Sequence, residues 1–184
     1  MPKVLIPLAQ GCEELEAVTI ADILHRANIT VVTAGLEKGP VKASHGTTII
    51  PDTTLEEALK RDDYDMVVLP GGLPGADHLG NDARLADFLK RMAANGRHVG
   101  AICAAPRVLA KLGLLDGKKA TCYPGFIDKA DFPKVHYTGA TVERDGKIIT
   151  GRGPGTAMDF ALALVETLAG AQVRATVEKA LVRP

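Results

Sequence analysis

Short apolar runs that each give way to a turn and then to a helical pattern set the strongest constraint on how this chain folds. Val4-Leu5-Ile6-Pro7-Leu8 is apolar throughout, Ile29 to Gly35 is rich in β-branched residues, and Asp65 to Leu69 and His98 to Ile102 are further strand-like runs. A strand without polar alternation has to be covered on both faces, as in a parallel sheet. The intervening segments carry apolar residues at helical spacing. One runs from about Glu13 to Ala27, with Leu15, Val18, Ile20, Ile23 and Leu24 grouped on one side; another runs from Ala83 until Asn95-Gly96 stops it. Strands alternating with helices predict an α/β, doubly wound, mainly parallel sheet with helices on both faces and right-handed crossovers. At 184 residues a single domain over 1–184 is expected, large enough to bury a core without disulfides or metals.

Smaller signals fill in the rest. Pro40 to Ala43 and Thr47 to Pro51 read as two short strands around a Ser44-His45-Gly46 turn, and Thr54 with Glu57 forms a capping box for a short helix to Leu59. Asp82 offers a cap for the helix that starts at Ala83. Lys119 to Cys122 is a short strand, Tyr123 to Pro133 is irregular, and Asp145-Gly146 marks a hairpin between two runs that end at Gly151. Thr156 is placed to cap a long helix carrying Met158, Phe160, Ala161, Leu164, Val165 and Leu168, and an amphipathic tail follows from Ala171 to Leu181.

Charge and cysteine usage exclude several classes of function. Twenty-two basic and twenty-two acidic side chains cancel, and no basic run offers an electrostatic footprint for nucleic acid or an anionic membrane. Cys12, Cys103 and Cys122 are odd in number and form no CxxC pair, so neither a disulfide framework nor a zinc site is indicated. No metal or other cofactor is expected. Free thiols suit a reducing compartment, the first apolar run is a strand rather than a signal peptide, and no stretch approaches the roughly 18 apolar residues of a membrane span. The expected location is the cytoplasm.

The strand His98–Ile102 runs into Cys103-Ala104-Ala105-Pro106 and a helical pattern begins at once. A nucleophile elbow holds its residue, side chain exposed, at such a corner, with small residues two before and two after it. Ala101 and Ala105 meet that condition around Cys103, and Pro106 falls in the first helical turn, where a missing N–H costs nothing. The positive end of the helix would favour the thiolate. A cysteine packed at a strand end is the other reading of the corner. The turn after the first strand, Gly71-Gly72 and Cys103 all belong to the carboxyl edge of the sheet, where ligands gather in folds of this class.

Four motifs in order, Glu-Glu-Leu-Glu-Ala at 13–17, Leu-Pro-Gly-Gly at 69–72, Ala-Ile-Cys-Ala-Ala-Pro at 101–106 and Arg-Gly-Pro-Gly-Thr at 152–156, resemble the ThiJ/PfpI superfamily, and within it the DJ-one and YajL branch. The resemblance implies a flavodoxin-like fold, a homodimer, Cys103 as nucleophile, Glu16 as the carboxyl that hydrogen-bonds it, and Gly72 and Ala104 as oxyanion-binding N–H donors. Tyr123, Gly153 and Pro154 are expected around these groups. The implied activities are cofactor-free conversion of methylglyoxal or glyoxal to the hydroxy acid, deglycation of glyoxal adducts on proteins or nucleotides, and oxidation of Cys103 as a stress response. The alternative function is an oxidative-stress sensor or chaperone switched at Cys103. A cysteine peptidase fits less well, because Ala104 stands where that branch has a histidine. Tyr123 likewise replaces a histidine found in some relatives, which moves proton transfer onto Glu16. An ionised Glu16 would repel the thiolate, whereas a protonated one donates to it, so Glu16 is expected to have a raised pKa. Glu13 and Glu14 read as complements to the positive helix end. His45, where relatives place an arginine that reaches the partner subunit, reads as a dimer contact or a solvated turn.

Overall fold

The apolar strands assemble into one seven-stranded sheet with helices on both faces. The computed structural model describes residues 1–183. In chain order the elements are β1 (Lys3–Leu8), α1 (Glu14–Arg26), β2 (Thr30–Gly35), β3 (Val41–Lys42), β4 (Thr48–Ile49), β5 (Thr53–Thr54), α2 (Leu55–Ala58), β6 (Met66–Leu69), α3 (Gly75–Asn81), α4 (Ala83–Ala94), β7 (His98–Ile102), α5 (Pro106–Lys111), β8 (Lys119–Ala120), β9 (His136–Tyr137), β10 (Val142–Asp145), β11 (Ile148–Gly151), α6 (Ala157–Ala169) and α7 (Ala171–Ala180). A 3-10 turn at Pro154–Thr156 precedes α6.

The sheet order is β10-β11-β7-β6-β1-β2-β5. Its pairings are parallel except for the β10–β11 hairpin. From β1 the chain winds outward to β2 and β5, then returns past β1 to β6 and β7. The crevice between the carboxyl ends of β1 and β6 is therefore the topological switch point, the place where such sheets bind ligands. Two small pairs, β3–β4 antiparallel and β8–β9 parallel, lie outside the main sheet.

Alternation along the strands feeds two cores. Val4, Ile6 and Leu8 pack with Ile20, Ile23 and Leu24 of α1 and Phe160 and Leu164 of α6. On the other face Leu5, Val67 and Leu69 meet Leu85, Phe88, Leu89 and Met92 of α4 and Leu109 of α5. Each such side chain, fully buried, contributes about 1.5–3 kcal/mol. Thr54 accepts from the Glu57 N–H and Asp82 from the Leu85 N–H, so both side chains cap their helices; the reciprocal half of the box expected at Thr54 is not made, because the Glu57 carboxylate accepts from Lys60 Nζ.

Three further expectations need correction, and one helix was not anticipated. Leu15 and Val18 do not join the buried stripe of α1; it runs through Glu16, Ala17, Ile20, Ile23 and Leu24, and a period of 3.6 residues turns Leu15 and Val18 to the opposite side. Met158 is likewise exposed on α6. Thr156 does not cap α6 with its side chain, because its hydroxyl accepts from the Gly153 N–H and donates to the Gly153 carbonyl. Helix α3 had no sequence signal beyond buried Ala76 and Leu79, since a segment with two glycines scores poorly for helix.

Candidate active site

The turn out of β7 is built around the backbone of Cys103, whose φ is +63°, a left-handed conformation that costs a non-glycine residue about 1–3 kcal/mol. Neighbouring segments hold it there. The Cys103 N–H donates to the Gly151 carbonyl at 3.0 Å, and its own carbonyl accepts from the Tyr123 N–H at 2.8 Å. Ala101 and Ala105 are completely buried on either side, and Pro106 opens α5. The corner is the elbow that the small residues predict. The exposed side chain expected of it is not found: Cys103 is only 8% exposed, because the loop after β6 and the first turn of α1 close over the sulfur.

Glu16 reaches the same point from α1 and is completely buried. Its Oε2 accepts from the Gly71 N–H at 2.7 Å. Its Oε1 has no hydrogen-bond partner among the described residues, and the Cys103 thiol is close enough to the carboxyl for each to shift the other's pKa. A side chain on Gly71 could not be accommodated between the two groups: a Cβ there would lie 2.6 Å from the Cys103 Cβ and 2.8 Å from Glu16 Oε2. Gly72 is constrained twice, by a φ of +85° and by the Cys12 carbonyl carbon, which a Cβ would meet at 2.7 Å. The need for a bare Gly71 beside Glu16 was not readable beforehand; the signal available was the glycine pair itself.

Burial dominates the electrostatics. Glu16 is pushed up to about 7 by desolvation, against the opposing pull of the Gly71 N–H and the Cys103 thiol. The thiol is pushed up to about 12 by burial and then by the negative charge of Glu16, while the N–H groups of Gly72 and Ala104 pull it down. The direction expected for Glu16 holds, and the thiolate-favouring effect of the helix end does not prevail while Glu16 is ionised. The two ionisations belong to the pair: one proton leaves near neutrality, and the second is held because two adjacent buried anions repel each other. The N–H groups of Gly72 and Ala104 are directed at the sulfur, and no backbone carbonyl accepts them among the described residues.

Tyr123, Gly153 and Pro154 line a hollow of about 390 Å³ beside the elbow, together with Pro124, Arg152, Gly155 and Thr156. Tyr123 stands 47% exposed at its rim and stacks edge-on with Phe126. Cys12 and Cys122 are fully buried free thiols, each raised by burial to about 11. Glu13 and Glu14 do more than face a helix end. Ser44 Oγ donates to Glu13 at 3.1 Å, and Glu14 accepts from the His45 and Thr47 N–H groups. Those backbone donors outweigh burial and hold Glu14 down at about 2. His45 Nδ1 lies 3.2 Å from Glu13 Oε2 of the same chain. The ligating atoms of Glu13, Glu14 and His45 fall within 4.8 Å of one another, but their carboxylates are already engaged by these N–H and O–H donors. A separate hollow of about 520 Å³ at the amino-terminal edge, lined by Asp65, Arg97, His98 and Lys147, holds no cysteine. Among the described residues no helix is long and apolar enough to cross a membrane.

Comparison with known proteins points to one family. The description "DJ-1/PfpI family" matches residues 2–167. Protein DJ-1alpha of Drosophila melanogaster is 47% identical over 178 residues, 96% of this chain and 82% of that protein. The glutathione-independent glyoxalase DJR-1.2 of Caenorhabditis elegans is 36% identical over 167 residues, 91% of this chain and 88% of that one. The crystal structure of Drosophila melanogaster DJ-1beta superposes with a TM-score of 0.93 at 43% identity, covering 100% of this chain and 98% of that one. Agreement that runs from β1 into α6, in sequence as in backbone, makes this chain a member of the DJ-1/PfpI family.

Proposed function

We propose that the protein is a glyoxalase that works without glutathione, metal or other cofactor, converting methylglyoxal to lactate and glyoxal to glycolate. The observation that carries this reading is the buried pair: a carboxyl lifted to about 7 beside an elbow cysteine whose sulfur faces two free N–H groups. At neutral pH such a pair holds one negative charge and one proton. Cys103 thiolate adds to the aldehyde carbon, and the oxyanion that forms takes over the N–H groups of Gly72 and Ala104. Glu16 gives its proton to that oxygen and becomes a carboxylate. It then removes the proton from the former aldehyde carbon, and the resulting enediol is reprotonated by Glu16 on the neighbouring carbon. The product is a thioester of Cys103. One carbon has been oxidised and its neighbour reduced, so no external oxidant enters, and water releases the hydroxy acid and restores the thiol. Tyr123, Gly153 and Pro154 border the approach. The same attack would serve adducts of glyoxals on proteins or nucleotides, a deglycase role in carbonyl-stress defence.

A homodimer is part of this proposal, supported by Leu15 and Val18, which stand 49% and 52% exposed one turn apart on α1. A cytoplasmic setting is supported by the three free cysteines. One observation favours a second reading, an oxidation switch or chaperone: the unpartnered Glu16 Oε1 could hydrogen-bond an oxygen added to the sulfur. The test is lactate formation from methylglyoxal without glutathione or metal, comparing the wild type with Cys103→Ser and Glu16→Gln. Turnover lost in both variants supports the enzyme. No turnover in the wild type, with ready oxidation of Cys103 by peroxide, overturns it in favour of the switch.

A further inference from the structure

The hollow beside the elbow is built from the two segments that clamp the nucleophile. The Cys103 N–H donates to the Gly151 carbonyl, one residue before Arg152, and the Cys103 carbonyl accepts from the Tyr123 N–H. Tyr123, Pro124, Arg152, Gly153, Pro154, Gly155 and Thr156 form its walls. No acidic side chain is among them. Arg152 is an exposed arginine at the rim, held by one bond from Nη1 to the Gly139 carbonyl at 3.3 Å. It has no carboxylate within 4.0 Å among the described residues, whereas Arg26, Arg84, Arg97, Arg107, Arg144 and Arg174 each pair with one. A guanidinium left with most of its donors unused is suited to grip a planar or tetrahedral anion.

The positive potential of the hollow is that of Arg152. Helix α6 starts at Ala157, directly after the lining residues, but its amino end is closed by the 3-10 turn: the Ala157 N–H donates to the Pro154 carbonyl and the Thr156 N–H to the Gly153 carbonyl. The volume, about 390 Å³, accommodates a group of several heavy atoms.

We infer that this hollow seats an anionic substituent of the substrate, a phosphate or carboxylate carried on the carbon chain away from the aldehyde, with Arg152 as its charged partner. The inference rests on the glyoxalase reading for the reacting end of the molecule and adds the chemistry of the other end. The preferred substrates are then acidic 2-oxoaldehydes rather than methylglyoxal itself.

Two measurements test this, and the first does not depend on turnover. Alkylation of Cys103 by iodoacetamide, a neutral reagent, is followed with increasing inorganic phosphate in the wild type, Arg152→Met and Arg152→Lys. Phosphate should slow the wild-type reaction, with the half-protecting concentration raised about tenfold or more in Arg152→Met and less in Arg152→Lys. The second compares kcat/KM for methylglyoxal, 4,5-dioxopentanoate and the phosphate ester of 3-hydroxy-2-oxopropanal. The ratio of acidic to neutral substrate should exceed one in the wild type and fall about tenfold or more in Arg152→Met; whichever acid loses more identifies carboxylate or phosphate as the group seated. Phosphate protection that depends on Arg152 upholds the anion seat even if no substrate turns over, an outcome that removes the glyoxalase reading alone. Equal alkylation rates with and without phosphate, or a substrate ratio unaltered by Arg152→Met, overturn the inference whether or not methylglyoxal is consumed.

Discussion

Replacing Glu16 with glutamine should flatten the pH dependence of stability. The carboxyl sits in the fold at about 7 against an ordinary 4.5. A carboxyl whose folded-state pKa is raised contributes its stability in full below the unfolded value and loses it as pH climbs to the folded one. The window therefore runs from about 4.5 to about 7, and the whole loss across it comes to about 3 kcal/mol at 1.36 kcal/mol per pKa unit. Between pH 5 and pH 8 the wild type should give up about 2–3 kcal/mol from this group. In Glu16→Gln the amide oxygen still accepts from the Gly71 N–H, the bond that the carboxylate makes at 2.7 Å, but nothing ionises. Urea unfolding of both proteins at the two pH values gives four free energies. Taking the difference of differences removes every other titrating group and any constant cost of burying the amide. A value of about 2–3 kcal/mol, with the variant favoured at the higher pH, is the expected result. Parallel pH dependences would refute the reasoning, because they would mean that Glu16 titrates in the fold as it does in the unfolded chain.

Other consequences follow from the same geometry. Alkylation of Cys103 should accelerate with pH through a midpoint near 7, since the rate reports the first proton lost by the pair whichever atom carries the second; in Glu16→Gln that midpoint should move up by more than one unit. Gly72→Ala should lower stability by at least about 1–3 kcal/mol from the left-handed backbone alone, with the clash at Cys12 adding to it, as measured by thermal melting. Leu15→Glu places a charge on the exposed apolar side of α1 and should leave a folded monomer in sedimentation velocity while the wild type sediments as a dimer.

What could be read from the residues divides along a physical line. Periodicity and local chemistry reach as far as neighbours in the chain. The apolar run of β1, the cap at Thr54 and the Asp145-Gly146 hairpin could each be placed, and the small residues around Cys103 located the elbow. The left-handed φ of Cys103 is the backbone form of that same signal. Contacts across the chain were beyond reach. Nothing near Glu16 in sequence announces that the Gly71 N–H, 55 residues away, donates to its carboxylate. Nothing near Cys103 says how deeply the loop after β6 covers it. Leu15 and Val18 show the limit within one helix: an apolar residue marks a buried face only relative to the sheet it packs on, and here the helix turned them outward. The motif resemblance supplied Glu16, Gly72 and Ala104, which local reasoning would have left as a helix end and a turn.

Burial explains why this pair can act on an aldehyde and then reset. In the free protein three N–H groups compete for one negative charge: that of Gly71 favours its residence on Glu16, those of Gly72 and Ala104 its residence on sulfur. Desolvation and mutual repulsion prevent a second charge, so a proton is always at hand. Once sulfur bonds to carbon it is no longer anionic, and the repulsion that held the proton on Glu16 disappears. The charge passes to the substrate oxygen, where Gly72 and Ala104 can follow it, and Glu16 is free to release its proton and act as a base. A carboxyl at its ordinary value would have no proton to give near neutrality, and one held far above 7 would not take part as a base. The depth that hides Cys103 from solvent is thus the same feature that sets Glu16 between these limits, and a substitution that opened the crevice to water without touching either residue would lower Glu16 toward 4.5 and slow proton transfer while leaving the nucleophile in place.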